Sequence, residues 1–98
     1  MRQTALRRKL QDVQGRISAL RAEILVLDEQ IAVADDELED LRVRSVVSET
    51  PLAAREHAEA ARHAQLAHRA RTSARDSLRG LEAERERLLD GVVAEVPS

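Results

Sequence analysis

The sequence predicts an all-α protein of two long helices in an antiparallel coiled-coil hairpin. The 98 residues include no Cys, Trp, Tyr or Phe, and only three Gly and two Pro, so turns are scarce. Charged residues make up 35% of the chain, and a composition rich in Ala, Glu, Arg and Leu is typical of long helices. The same composition disfavours a β-sandwich or barrel, a disulfide scaffold and a Cys-based zinc module. The length predicts a single domain.

The first predicted helix covers residues 1–44. Its apolar residues recur with alternating steps of three and four, an unbroken heptad pattern that is the strongest coiled-coil signal one sequence offers. We call the stripe at heptad positions a and d the seam. The seam of this helix includes Leu6 and Ala34 and consists mainly of Leu10, Val13, Ile17, Leu20, Ile24, Leu27, Ile31, Leu38 and Leu41.

A connecting turn is predicted at residues 45–50. Ser45, Ser48 and Thr50 carry side chains that compete for backbone hydrogen bonds and so weaken a helix. Thr50 is predicted as the N-cap of the second helix, because its hydroxyl can accept a hydrogen bond from the first turn. Pro51 is predicted as the first helical residue, where its missing N–H is not needed.

The second predicted helix covers residues 51–90. Gly91 is predicted as its left-handed C-cap, and residues 91–98 are predicted to fray as a tail. The seam of this helix is rich in alanine and is interrupted three times by a polar residue. Its main members are Ala60, Ala67, Ala74, Leu78, Leu81 and Leu88.

Charge alternates along the chain, with a net +5 over residues 1–22, −6 over 23–44, +3 over 52–79 and −3 over 80–98. Folding back near residue 48 or 49 therefore sets each segment beside one of opposite sign, which favours the antiparallel hairpin. Ile at a with Leu at d instead favours a parallel dimer of the first helix. The expected hairpin neighbours are Arg16 with Glu84, Asp28 with His68 and Glu37 with His63, with Arg21 against Arg75 as the one conflict.

Two surfaces are candidates for partner binding. Apolar residues off the seam could pair two hairpins into a four-helix bundle, or could be single exposed residues. The candidate dimer face comprises Leu25, Val26, Val33 and Leu66. The candidate tip comprises Val46, Val47 and Glu49, and its valines either insert into a partner or close the end of the coiled coil by packing on Leu41 and Leu52.

No constellation in the sequence predicts a cofactor, a metal site or an enzyme. His57, His63 and His68 are six and five residues apart, which sets no adjacent pair on one helix face, as a bundle metal site requires. The acidic run at residues 35–40 is expected to be a solvated face that also pairs with Arg55 and Arg62.

Basic residues form a cluster at the start of the chain and a ladder on the second helix. The cluster comprises Arg2, Arg7, Arg8 and Lys9, and the ladder comprises Arg62, Arg69, Arg71, Arg75 and Arg79. Either could meet phosphate, but pairing with acids of the same chain is favoured. Direct nucleic-acid binding is not expected, because no aromatic residue can stack on bases and the net charge is −2.

The expected function is therefore non-enzymatic: a coiled-coil interaction or scaffolding protein that forms a homodimer and binds another protein. The alternative is a small regulator whose tip or Arg ladder engages RNA polymerase or the ribosome. The basic start has no apolar core and no stretch approaches about 18 apolar residues, so neither a secretory signal nor a membrane span is expected. We expect a cytoplasmic location.

The stretch Leu41 to Arg55 (LRVRSVVSETPLAAR) resembles uncharacterised helical-hairpin coiled-coil proteins of high-GC bacteria. That resemblance implies a hairpin and no assigned activity. The segment from Glu49 to Ala60 is also similar to the coiled-coil finger of bacterial transcript-cleavage factors, which hold a metal ion with acids at the tip. Here Glu49 is the only acid in the connection and the 98 residues include no second globular domain. The likeness implies a finger-like binder of a large enzyme.

Overall fold

The computed structural model describes residues 2–94. They form two helices, α1 at Arg2–Ser48 and α2 at Pro51–Ala94, and none of the described residues lies in a strand. The prediction of an all-α helical hairpin is confirmed. The helices divide between two compact units.

The terminal unit comprises Met1–Glu23 and Ala74–Ser98. Two long-range contacts show that its helix segments run antiparallel. Near the start of α1, Gln3 Nε2 donates to the carbonyl of Val92 at 3.2 Å. Further along α1, Arg21 Nη2 donates to Glu82 Oε2 at 3.5 Å. Residues with higher numbers on α1 thus contact residues with lower numbers on α2.

The turn unit comprises Ile24–Ser73 and shows the same antiparallel order. Asp28 forms an ion pair with Arg71, and Asp35 meets His68 three residues nearer the turn. A small residue lies buried on each helix of this unit, Ala34 on α1 and Ala64 on α2. Small seam residues let two backbones approach closely, because no long side chain holds them apart.

The connecting turn is shorter than predicted, because α1 continues through Ser48 and only Glu49 and Thr50 lie outside the helices. Glu49 has φ of 49°, and its N–H donates to the carbonyl of Ser45 at 3.1 Å. This is the left-handed C-cap arrangement that usually takes glycine. The predicted turn at residues 45–50 was therefore wrong in its first four positions, since the cap satisfies the Ser45 carbonyl without unwinding the helix.

The predicted start of α2 is confirmed. The Thr50 hydroxyl accepts a hydrogen bond from the N–H of Ala53 at 3.1 Å, which satisfies one of the donors left open at a helix N-terminus. Pro51 is the first helical residue. The chain thus reverses direction through a left-handed residue followed directly by an N-cap.

The predicted C-cap at Gly91 was wrong, because α2 continues to Ala94 and Gly91 has no positive φ. Gly91 lies against the start of α1, where a Cβ would come within 3.7 Å of Leu6 Cδ1. The last turn of α2 therefore packs against Leu6 of α1. Of the tail predicted at residues 91–98, residues 91–94 are helical, and residues 95–98 lie outside the described part of the chain.

The seam residues form the core of each unit. All seventeen seam residues named from the sequence are buried or half-buried. Burial of one large aliphatic side chain stabilises the fold by about 1.5–3 kcal/mol. The most buried apolar residues are Val13, Ile17 and Ala74 in the terminal unit and Ile24, Ile31, Ala34 and Ala64 in the turn unit.

Candidate protein interaction surface

One edge of the turn unit is closed by polar contacts. Heptad position e of each helix flanks the seam on this side, and it holds Asp35 on α1 and His68 on α2. His68 Nε2 donates to the Asp35 carboxylate, at 3.0 and 3.1 Å from its two oxygens. We call this side of the turn unit the polar edge.

Arg71 contributes to the polar edge from within the seam. It occupies an a position of α2 and its side chain is only 31% exposed. Its guanidinium pairs with the carboxylate of Asp28, while the aliphatic stem of an arginine can cover apolar surface. The seam can include Arg71 because its guanidinium reaches the carboxylate of Asp28 at the polar edge.

The opposite edge of the turn unit is an open groove of about 670 Å³. We call it the apolar groove. Its lining comes from heptad positions c, d and g of both helices, plus one residue at f. The lining residues are Leu27, Glu29, Gln30, Val33, Ala34 and Glu37 on α1, with His63, Leu66, Ala67 and Ala70 on α2.

Two large aliphatic residues stand at the rim of the apolar groove. Val33 is 67% exposed and Leu66 is 64% exposed, one on each helix. Single exposed aliphatic residues are common on protein surfaces. Val33 and Leu66 differ from scattered surface residues because they line one groove and come from different helices.

The four residues of the candidate dimer face do not share one surface. Val26 shares heptad position c with Val33, but it is not among the groove residues. Leu25 is 66% exposed and lies at position b, about 100° around the helix from Val26. The sequence prediction grouped Leu25 with the others, whereas only Val33 and Leu66 of the four line the apolar groove.

The acidic run at residues 35–40 does not pair with Arg55 and Arg62 as expected. Asp35 bonds His68, and Glu39 accepts two hydrogen bonds from Arg42 on the same helix, at 2.7 and 2.9 Å. Within residues 2–94, Arg55 and Arg62 have no ion-pair partner.

The Glu39–Arg42 pair shifts the titration of both groups. The hydrogen bonds from Arg42 hold the pKa of Glu39 below its ordinary value, and the arginine charge acts in the same direction. The same hydrogen bonds raise the pKa of Arg42. Both side chains are exposed, so this pair is a feature of the surface of α1.

The register of the two helices differs from the one predicted. Asp28 meets Arg71 rather than His68, three residues further along α2. Arg21 forms an ion pair with Glu82, whereas Arg75 was its expected neighbour. Glu37 and His63, expected as neighbours, line the same groove.

The predicted tip residues lie at the end of α1 and in the turn. Val46 is 64% exposed and Val47 is 77% exposed. Leu52, one of their expected packing partners, is itself 61% exposed. The valines therefore do not close the end of the hairpin against Leu52, and they remain a small apolar surface beside the left-handed Glu49.

The histidines take three different environments. His57 is half-buried, His63 lines the apolar groove, and His68 bonds Asp35. Within residues 2–94, no three His, Asp or Glu side chains lie close enough together to hold a metal ion. Neither helix, over that same range, contains a stretch long and apolar enough to cross a membrane.

Comparison with known proteins finds no matching family model, no matching curated protein and no matching solved structure. The surfaces of the described residues that could bind a partner are the apolar groove, the tip and the charges around them. Of these, the groove is the one that brings exposed aliphatic residues of both helices, Val33 and Leu66, to one surface.

The sequence did not predict the groove, although it placed two of its lining residues, Val33 and Leu66, in the candidate dimer face. The small residues Ala67 and Ala70 make the depression, because they leave space beside Leu66. Because α2 is rich in alanine throughout, Ala67 and Ala70 do not mark the position of a groove in the sequence. What could have found the groove is heptad position: c and g of one helix meet c and g of an antiparallel partner on the same side.

Proposed function

We propose that this chain is a non-enzymatic, cytoplasmic interaction protein that self-associates through the apolar groove and acts as a scaffold for another protein. The observation that carries the proposal is the pairing of Val33 and Leu66, both exposed, on opposite rims of one groove. Covering such surface is favourable by about 25 cal/mol per Å² of apolar area. A chain without cysteine fits a reducing compartment.

A second copy of this chain is the occupant that the groove favours. In a two-fold dimer the same patch faces itself, so each copy supplies both the aliphatic rim residues and the small residues that receive them. Val33 and Leu66 are such rim residues, and Ala67 and Ala70 form the depression. Two hairpins joined on these faces make a four-helix bundle, a common way to bury a second apolar stripe.

The shape of the site favours binding over catalysis. Six of the ten groove residues are Leu, Val or Ala, and the groove lies open along the helices. Apolar grooves of this kind receive the apolar face of another helix. The resemblance of residues 41–55 to helical-hairpin proteins of high-GC bacteria is part of this proposal.

Paired substitutions test this function. We expect the wild-type chain to sediment at twice its mass of 10.9 kDa. The double variant Val33→Ser with Leu66→Ser should sediment as one chain, with its helix content kept. Leu25→Ser is the matched control, because Leu25 is equally exposed but lies outside the groove. A double variant that sediments like the control would contradict the proposal.

A second candidate function rests on the tip. Val46 and Val47 are exposed next to Glu49, whose left-handed backbone fixes the direction of the turn. This arrangement favours a regulator that inserts its tip into a nucleic-acid machine, for which RNA polymerase and the ribosome are the candidates. Binding of purified polymerase or ribosomes should then be lost in Val46→Ser with Val47→Ser. Equal binding by the variant and the wild type would contradict it.

A further inference from the structure

We infer that the second copy lies with its α2 over the α1 of the first copy, so that both tips are at the same end of the dimer. This inference rests on the proposed self-association and adds its orientation. Four charged residues beside the apolar groove carry it. They are Glu29 and Asp36 on α1 and Arg62 and Arg69 on α2.

These four residues occupy one heptad position. Counting in sevens along each seam places Glu29 and Asp36 at f of α1, and Arg62 and Arg69 at f of α2. Position f is next to c, where Val33 and Leu66 stand. All four side chains are exposed, and within residues 2–94 none has an ion-pair partner. The apolar groove is therefore bordered by free acids on α1 and free cations on α2.

The antiparallel contacts of the turn unit fix the heights of these charges. Because Asp28 meets Arg71 and Asp35 meets His68, Glu29 and Asp36 lie on either side of Arg69 in height along the helices. Each is within about one helical turn of it, or about 5 Å. Asp36 is within a similar distance of the height of Arg62. Acids and cations thus alternate in height.

Two arrangements of two-fold symmetry can cover the groove. In the first arrangement the two-fold axis is parallel to the helices. Each residue then keeps its position along the helix direction, and α1 of one copy lies over α2 of the other. Each acidic flank then faces a cationic flank, and each acid lies within about one helical turn in height of a cation. In the second arrangement the axis is perpendicular to the helices. The α1 helices of the two copies then lie over each other, so acids face acids and cations face cations. Like charges across an interface select against that orientation, and the parallel axis is the one that remains.

Distances between spin labels on the tip test this orientation. Val47→Cys can carry a single nitroxide, because the chain has no cysteine of its own. Val47 lies fourteen residues from Val33, or about 21 Å along α1 at 1.5 Å per residue. With both tips at one end, the two labels of a dimer should be less than about 30 Å apart. In the crossed arrangement they should be about 40 Å apart or more.

A label on Ala32 is the control. Ala32 is exposed, lies at the height of Val33 and occupies a position away from the groove. The labels at residue 32 of the two copies are therefore close together in either arrangement, and their distance shows only that the dimer forms. Short distances from both labels are the expected result. A short distance at residue 32 with a long one at residue 47 would overturn the orientation and leave self-association standing. No dipolar signal from either label would overturn both.

Discussion

Val33 on α1 and Leu66 on α2 line the same groove, although they are far apart in the sequence. On the opposite edge of the turn unit, Asp35 and His68 hold the same two helices together through hydrogen bonds. The two edges therefore differ in kind. The polar edge satisfies its own side chains within the chain, whereas the apolar groove leaves aliphatic surface in water. This difference supports our proposal that two copies of the chain associate through the apolar groove.

Charge reversal beside the groove should weaken the dimer. Glu29→Lys with Asp36→Lys sets lysines against the cations of a second copy, and Arg62→Glu with Arg69→Glu sets acids against acids. Because exposed pairs each contribute about 0.2–1 kcal/mol, we expect either double variant to raise the dimer Kd by about tenfold or more at low salt. Sedimentation equilibrium measures this change.

Mixing the two charge-reversal variants is the matched control. In the mixed dimer every reversed flank again meets its opposite, so the affinity should return toward the wild-type value. At about 1 M salt the differences should shrink, since the screening length falls to about 3 Å. Wild-type affinity in both double variants at low salt would show that these charges do not face each other.

Arg71 should contribute more stability than an arginine paired only on the surface. Arg71→Ala removes a half-buried stem from the seam as well as the partner of Asp28. Arg79→Ala removes only an exposed pair with Asp76 on the same helix. We expect a loss of about 1–2 kcal/mol for the first and less than about 0.5 kcal/mol for the second. Urea unfolding at one fixed protein concentration compares them, and equal losses would contradict the assignment of Arg71 to the seam.

Glu49 is the position where glycine should stabilise the turn. Its φ of 49° is costly for any residue with a Cβ, whereas glycine adopts it freely. Glu49→Gly should raise the free energy of unfolding by about 0.5–1 kcal/mol. Glu49→Ala keeps the Cβ and should give no such gain. If both variants melted at the wild-type temperature, the left-handed cap at Glu49 would be contradicted.

The Glu39–Arg42 pair predicts a dependence of stability on acid pH. Since the folded pKa of Glu39 is lowered, the contribution of the pair is fully present above the ordinary pKa of 4.5 and is lost as pH falls through the lower folded value. Between about pH 6 and about pH 3, the melting temperature of the wild type should fall more than that of Glu39→Gln, which has no charge to lose. If the melting temperatures of the two proteins fell equally with pH, a stabilising Glu39–Arg42 pair would be contradicted.

The sequence predicted the helices well because their signals are local or periodic. Thr50 and Pro51 mark the start of α2 through chemistry that needs no tertiary contact. The end of α1 was harder to predict. Ser45 and Ser48 were expected to break the helix, but the left-handed Glu49 closes it after Ser48. Glutamate gives no sequence signal for that conformation, since glycine is its usual occupant.

The length of the turn also decided which side chains meet. A turn centred near residue 48 or 49 set Asp28 beside His68, whereas the later turn at residues 49–50 sets Asp28 beside Arg71. A shift of three residues is nearly one helical turn, so the same faces still met and the seam was unaffected. Individual ion pairs depend on that exact register and could not be predicted from charge alone.

The mass of the wild-type chain in solution tests the central claim most directly. Light scattering on the size-exclusion peak, repeated across protein concentrations and at low and high salt, gives that mass without any substitution. Self-association through the apolar groove predicts a mass of two chains of 10.9 kDa that persists on dilution at low salt. A mass of one chain at every concentration would contradict it, and the exposed pair of Val33 and Leu66 would then need another explanation.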